Sequence, residues 1–160
     1  NGHAIELRLT AEETENDFTP AIGTIDTYQA PKDEWVRLDD FVYEGYEIPI
    51  YYDNMFAKLI VWGADRTEAI QRMIKACNDF KIEGVPTTLD FGRFVMQHLK
   101  FIEGDFDTNF IAQYYTPEAR AEQDYEINKA ASLFTYLEFN EHKEVIVAKH
   151  TSSNWNKRNL

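Results

Sequence analysis

The chain has 160 residues, with 28 acidic against 16 basic side chains and a formal net charge of −12. Nucleic acid and anionic membrane surfaces both demand clustered Lys and Arg, so this balance disfavours them as partners. The length suits one domain, or one domain plus an extension, able to bury about 70% of its unfolded surface, and the single cysteine, Cys77, excludes an internal disulfide and a cysteine-based zinc site.

No apolar run approaches the ~18 residues of a membrane span. No signal peptide is expected, and a free thiol fits a cytoplasmic location. The chain opens, without Met, almost directly into strand-like sequence, which leads us to expect an excised piece of a larger protein.

Ala4 to Thr10 alternates apolar and polar residues, the pattern of a strand with one buried face. An acidic loop from Glu12 to Asp17 closes at Pro20 and Gly23. Gly23 to Tyr28 reads as a second strand and Pro31 to Glu34 as a turn. Trp35–Tyr43 and Tyr46–Tyr52 flank Glu44-Gly45, which predicts a two-residue hairpin, with Pro49 at an edge or bulge of the second strand. Phe56 to Gly63 is a more continuously apolar strand, interrupted by Lys58.

The period then changes. Asp65 is a predicted N-cap, with Glu68 at the capping-box position, and Ala69, Ile70, Met73, Ile74, Cys77 and Phe80 follow at helical spacing. Cys77 within that stripe reads as a small core hydrophobe, since no His-and-acid arrangement lies near it to make it a nucleophile. Lys81 to Val85 is a short strand. Pro86-Thr87-Thr88 opens a second helix bearing Leu89, Phe91, Phe94, Val95, Leu99 and Ile102. Thr116 and Pro117 begin a third helix, read as long and amphipathic through Ile127, Ala130, Ala131, Phe134 and Leu137. Val145 to Ala148 is a last strand, and Ser152 to Leu160 a polar tail.

The chemistry-bearing residues are sparse. His3, His98, His142 and His150 form no His-x-His or His-x-x-x-His pair, so no helical metal site is expected. No Gly-rich phosphate loop is present. Between Lys32 and Lys58 the only cation is Arg37, set among Asp33, Glu34, Asp39, Asp40, Glu44, Glu47 and Asp53. On a strand, Arg37 can serve as a fixed fork for an anion; it can equally pair with Asp39 or Asp40. Those two acids point to opposite faces if both lie in a strand, so they cannot act as a carboxylate pair. Composition and spacing alone reach an acidic α+β domain with one well-placed Arg.

Several segments, in order, resemble the C-terminal domain of biotin carboxylase: Gly2-His3-Ala4-Ile5-Glu6-Leu7-Arg8-Leu9-Thr10-Ala11-Glu12, then Phe18-Thr19-Pro20 with Gly23-Thr24-Ile25, and Val36-Arg37-Leu38-Asp39. Tyr43-Glu44-Gly45-Tyr46 through Tyr51-Tyr52-Asp53-Asn54-Met55 to Lys58-Leu59-Ile60 is the most specific stretch. Arg66, Ala69, Ile70, Arg72 and Met73 continue it, and Ile82-Glu83-Gly84-Val85 with Thr87 closes it. Glu13-Thr14, Asn54 and Thr88 depart from the usual residues, all in turns. The resemblance covers residues 1–115 and leaves 116–160 as an extension of helix, strand and tail.

The resemblance implies an α+β fold, mainly antiparallel sheet with a few packed helices. It implies an ATP-dependent ligase in which ATP and bicarbonate form carboxyphosphate, whose CO2 is taken by the ureido nitrogen of biotin. Arg37 would face the ureido oxygen and help hold bicarbonate. ATP and Mg2+ or Mn2+ would bind the N-terminal and ATP-grasp domains, outside this chain, leaving the fragment inactive alone. Further implied partners are a biotin carboxyl carrier protein, a carboxyltransferase and a second copy of the enzyme, with Trp62 and Arg66 as candidate dimer contacts. The rival reading is a non-catalytic interaction module, with Arg37 in a structural ion pair and the helix from Pro117 as a docking element.

Overall fold

A computed structural model describes residues 1–49 and 53–141. It divides the chain into two compact units, 1–117 and 118–160. The predicted strand Val145–Ala148, the tail, His142 and His150 lie outside the described residues, as do residues 50–52 of the predicted strand Tyr46–Tyr52.

The first unit is built on three antiparallel strands: β1 (His3–Thr10), β6 (Val36–Asp40) and β8 (Met55–Gly63), in the order β1-β8-β6. Register follows from the period of two. Ile5, Leu7 and Leu9 stand opposite Val61, Leu59 and Ala57, and Val36 and Leu38 stand opposite Val61 and Leu59. These residues line one face, where Leu9, Leu59 and Val61 are fully buried. The other face carries Ala4, Glu6 and Arg8, Trp62, Ile60 and Lys58, and Arg37 and Asp39.

Helix α1 (Arg66–Asp79) covers the apolar face with Ala69, Ile70, Met73 and Cys77 of the stripe predicted from spacing, joined by Ala76; Phe80 is buried just past its end and Ile74 is partly buried against the core. Its cap is as expected: Asp65 accepts from the Glu68 amide at 2.8 Å, while Glu68 accepts from the Ala64 amide at 2.5 Å. Cys77 is buried, and its burial pushes the thiol up to about 12.

Short pairings surround this core. β2 (Glu12–Glu13) pairs with β3 (Thr19–Pro20), β4 (Gly23–Thr24) with β7 (Glu47–Ile48), and β5 (Thr27–Gln29) with β9 (Lys81–Glu83). The predicted strand Gly23–Tyr28 is therefore two strands that change partner at Ile25-Asp26. The predicted hairpin is also corrected. Tyr46 does donate to the Tyr43 carbonyl at 2.9 Å around Gly45 (φ 90°), but among the described residues the flanking segments do not pair with each other. A lone positive φ at Gly45 suits a turn of type II, whose twist splays its arms. The arms instead go to β8 and β4, and Gly45 donates to the Ile25 carbonyl at 2.7 Å.

The second predicted helix is two: α2 (Leu89–Gln97) and α3 (Leu99–Glu103), broken at His98, which has extended backbone. The His98 Nδ1 accepts from the Lys100 amide at 3.2 Å and so caps α3. The break leaves Leu99 and Ile102 exposed. A short helix, α4 (Phe110–Tyr114), was not predicted; it stacks Phe110 and Tyr114 around His98.

The second unit is described by α5 (Pro117–Glu141). The helix starts where Thr116-Pro117 predicts, but it is not amphipathic. Over its length apolar and polar residues do not segregate to opposite faces, and Leu133, Phe134, Tyr136 and Leu137 are all exposed.

Candidate functional site

Arg37 sits on β6, an edge strand of the three-stranded sheet. Residues two apart in a strand share a face, so Arg37 and Asp39 project together from the side away from the core. The Arg37 Nε donates to Asp39 Oδ1 at 2.9 Å and Nη2 to Asp39 Oδ2 at 2.8 Å. One carboxylate thus meets one whole edge of the guanidinium, the bidentate geometry that distinguishes Arg from Lys. The pair is at the surface, with the Arg37 side chain 75% exposed and that of Asp39 43%.

The two adjacent acids are divided, as their opposite faces require. Asp40 turns to the core side and accepts the Tyr28 hydroxyl at 2.5 Å. Tyr28, on β5, rests edge-on against Phe80 with ring centroids 5.3 Å apart. Asp39 lies opposite Lys58 of β8. The Arg37 hydrogen bond holds the Asp39 carboxyl below its usual range, aided by the charges of Arg37 and Lys58 and opposed by desolvation. Asp39 in turn raises Arg37. Burial, then the Asp40 hydrogen bond, pushes the Tyr28 phenol well above its ordinary value.

A cleft of about 470 Å³ opens beside this pair, lined by Leu38, Asp39, Asp40, Phe41, Met55, Phe56, Ala57 and Lys58. A more apolar one adjoins it between Phe41, Tyr46, Ile48, Pro49 and Asp53 to Phe56. Phe41 and Tyr43 are both exposed, and each sits edge-on to Tyr46. Sequence reasoning missed Tyr28 and this aromatic rim. The only signal was Phe41-x-Tyr43, two large aromatics on one side of an extended segment.

A guanidinium is neither nucleophile nor, at working pH, acid or base. What the Arg37–Asp39 pair supplies is charge in a defined direction. Among the described residues, no group of three or more His, Cys, Asp or Glu is placed to hold a metal ion, and no helix is long and apolar enough to cross a membrane.

The two candidate dimer contacts behave differently. Trp62 is 50% exposed on the open face of the sheet. Arg66 is engaged within the fold: Nη2 donates to the Phe101 carbonyl, the guanidinium lies 4.9 Å above the Phe101 ring, and Nη1 is 3.3 Å from His3 Nε2.

A family model described as the biotin carboxylase C-terminal domain matches residues 6–113. A biotin carboxylase of Nostoc is 46% identical over 112 residues, which is 70% of this chain and 25% of that protein. The human mitochondrial propionyl-CoA carboxylase alpha chain is 35% identical over 169 residues, covering 97% of this chain and 23% of its own length. Among solved structures, the biotin carboxylase domain dimer of Hydrogenobacter thermophilus 2-oxoglutarate carboxylase, in complex with MgADP, ADP and bicarbonate, superimposes with a TM-score of 0.70 at 38% identity. It covers 71% of this chain and 25% of its own. The chain thus spans about a quarter of the length of the relatives it matches.

Proposed function

Because the chain belongs to the biotin carboxylase C-terminal domain family, we propose that it is the C-terminal part of the biotin carboxylase of an acyl-CoA carboxylase. The whole ligase would use ATP and bicarbonate to carboxylate biotin on a carrier protein. The observation that carries this reading is the Arg37 guanidinium, borne on a strand and oriented by Asp39, with its side chain 75% exposed.

In such a reaction negative charge develops on the ureido oxygen of biotin as its nitrogen becomes nucleophilic. A cation fixed in advance stabilises that charge without reorganising at the moment of reaction. Arg37 stays protonated throughout and offers paired donors to a planar anion, which serves bicarbonate as well as the ureido group. Lys would offer a point charge. Arg37→Lys in the full-length chain is therefore expected to lose most of the carboxylation rate, and a rate near wild type would remove Arg37 from the site.

The residues present do not fit ATP or its Mg2+ or Mn2+: no Gly-rich phosphate loop and, among the described residues, no metal-binding cluster is here. We assign both to the N-terminal and ATP-grasp domains, and the fragment alone is inactive on this reading. Isothermal titration of residues 1–160 with Mg-ATP is expected to be flat; tight binding would contradict the assignment.

A carboxyltransferase and a biotin carboxyl carrier protein complete the set of partners, with a second copy meeting this domain through Trp62. The dimer seen in the Hydrogenobacter structure supports a second copy, and Trp62 is proposed as the contact from its exposure alone. The match to the human propionyl-CoA carboxylase alpha chain runs over 97% of the chain, past the family domain, which favours the acyl-CoA type.

A further inference from the structure

Four of the five N–H donors of a guanidinium fall on two edges that can each grip a planar anion: the side edge, Nε with Nη2, and the end edge, Nη1 with Nη2. Asp39 occupies the side edge, through Nε at 2.9 Å and Nη2 at 2.8 Å. That contact leaves the end edge, one N–H from each terminal nitrogen, unused by Asp39 on a side chain that is largely exposed. We propose that Asp39 is the positioning residue of Arg37, fixing its side edge so that its end edge meets the reacting oxyanion. The inference rests on Arg37 being the anion-binding arginine proposed above.

Four features of the fold support orientation over simple neutralisation. Both residues stand on one strand at a spacing of two, so the pair is set by backbone held to β8 and not by a mobile loop. Asp40, the other acid within reach of a β6 cation, is turned to the opposite face and held by Tyr28, so it does not close the end edge. Lys58 lies opposite Asp39 and favours its ionised form, the only form in which both oxygens accept. Asp39 is also the less exposed partner, at 43% against 75% for Arg37, as an anchor and an outward-facing tip should be.

A competing role is available to Asp39: it could neutralise Arg37 and have to be displaced before substrate binds. The two roles give opposite signs on removal. In the full-length chain, Asp39→Asn, Asp39→Glu and Arg37→Gln would be compared by bicarbonate affinity, read as 13C line broadening, and by the KM and kcat of bicarbonate-dependent free-biotin carboxylation.

Positioning predicts that Asp39→Asn weakens bicarbonate binding and lowers kcat by about tenfold each, since misorientation harms both bound state and reaction. Asp39→Glu, which keeps the carboxylate, is expected to recover part of the loss; a surface ion pair of merely structural value would move neither parameter. Wild-type behaviour of Asp39→Asn, or tighter bicarbonate binding, overturns the proposal. The Arg37→Gln control separates the layers. If it is inactive while Asp39→Asn is normal, only the positioning role fails; if Arg37→Gln is itself normal, the reading of Arg37 has failed and the role of Asp39 falls with it.

Discussion

Tyr28 donates its phenolic hydrogen to Asp40 at 2.5 Å, joining β5 to the end of β6 across twelve residues of sequence. The bond engages Asp40 on the core side of β6, while Asp39, on the opposite face, pairs with Arg37. Tyr28→Phe keeps the ring on Phe80 and deletes only the hydroxyl, so it is expected to cost about 1 kcal/mol in chemical denaturation. The pH dependence identifies the bond more specifically. An acid whose folded pKa is raised stabilises the fold fully below its unfolded value and loses that contribution as the pH rises past it. Native stability is therefore expected to decline above about pH 10, the unfolded tyrosine value, and the Phe variant to lose that part of the slope. An unchanged slope would mean that Tyr28 is not the group responsible.

Gly84 has φ of 101°, and a Cβ there would collide with the Thr24 carbonyl oxygen and lie 2.7 Å from the Asp26 amide nitrogen. The neighbouring contact is a hydrogen bond from the Asp26 amide to the Glu83 carbonyl at 2.8 Å, so the obstacle is backbone and cannot swing away. Gly84→Ala combines left-handed strain with that collision and is expected to destabilise by more than ~1 kcal/mol. The lesion would fall where β4, β5 and β9 meet, and an unaltered thermal midpoint would show that this junction yields more easily than its packing implies.

How far these features could be read beforehand depends on the range of the interaction that makes them. The α1 stripe and its Asp65–Glu68 cap are local, decided within a few residues, and both appear where spacing put them. The pairings are not local. Glu44-Gly45 signals a turn but not which strands its arms will join, and β6 and β7 went to different partners. His98 broke the second helix because its ring serves better as a cap, seated among Phe94, Phe110 and Tyr114, than as a helical residue; Phe110 and Tyr114 come from α4, which lies later in the chain. At the site, a spacing of two on β6 places Arg37 and Asp39 on one face and Asp40 on the other. What the spacing could not show is the partner of Asp40, Tyr28, brought in by the pairing of β5 with β9.

Cys77 is fully buried within the α1 stripe, and burial pushes its thiol up to about 12, which leaves almost no thiolate at neutral pH. Iodoacetamide at pH 8 is expected to leave the native protein unmodified and to label Cys77 stoichiometrically in denaturant, as read by intact mass. Because alkylation requires opening of the core, its slow native rate should follow global stability in mutants such as Gly84→Ala. Rapid labelling of the native chain would place Cys77 in a reactive setting and not in the core.

Trp62 and Arg66 lie close in sequence yet are expected to fail differently when truncated. Trp62 is half-exposed but firmly seated: its carbonyl accepts from Arg72 Nη1 at 2.6 Å, the Arg72 guanidinium lies 5.6 Å from its ring, and a Cβ on Gly2 would come within 2.6 Å of its Nε1. A rigid, half-exposed Trp has the properties of a protein-contact anchor, since little side-chain entropy is left to lose on association. Trp62→Ala is thus expected to weaken self-association of the full-length chain by ~2 kcal/mol or more, roughly thirtyfold, in sedimentation experiments. Arg66 instead ties the start of α1 to Phe101 of α3 and to His3 of β1. Arg66→Ala should lower the thermal midpoint, at a cost of about 1–2 kcal/mol, while the association constant changes less than in Trp62→Ala. Were Arg66→Ala to dissociate the protein with its stability intact, the guanidinium would have to leave Phe101 for the partner, and the division of labour between the two residues would be reversed.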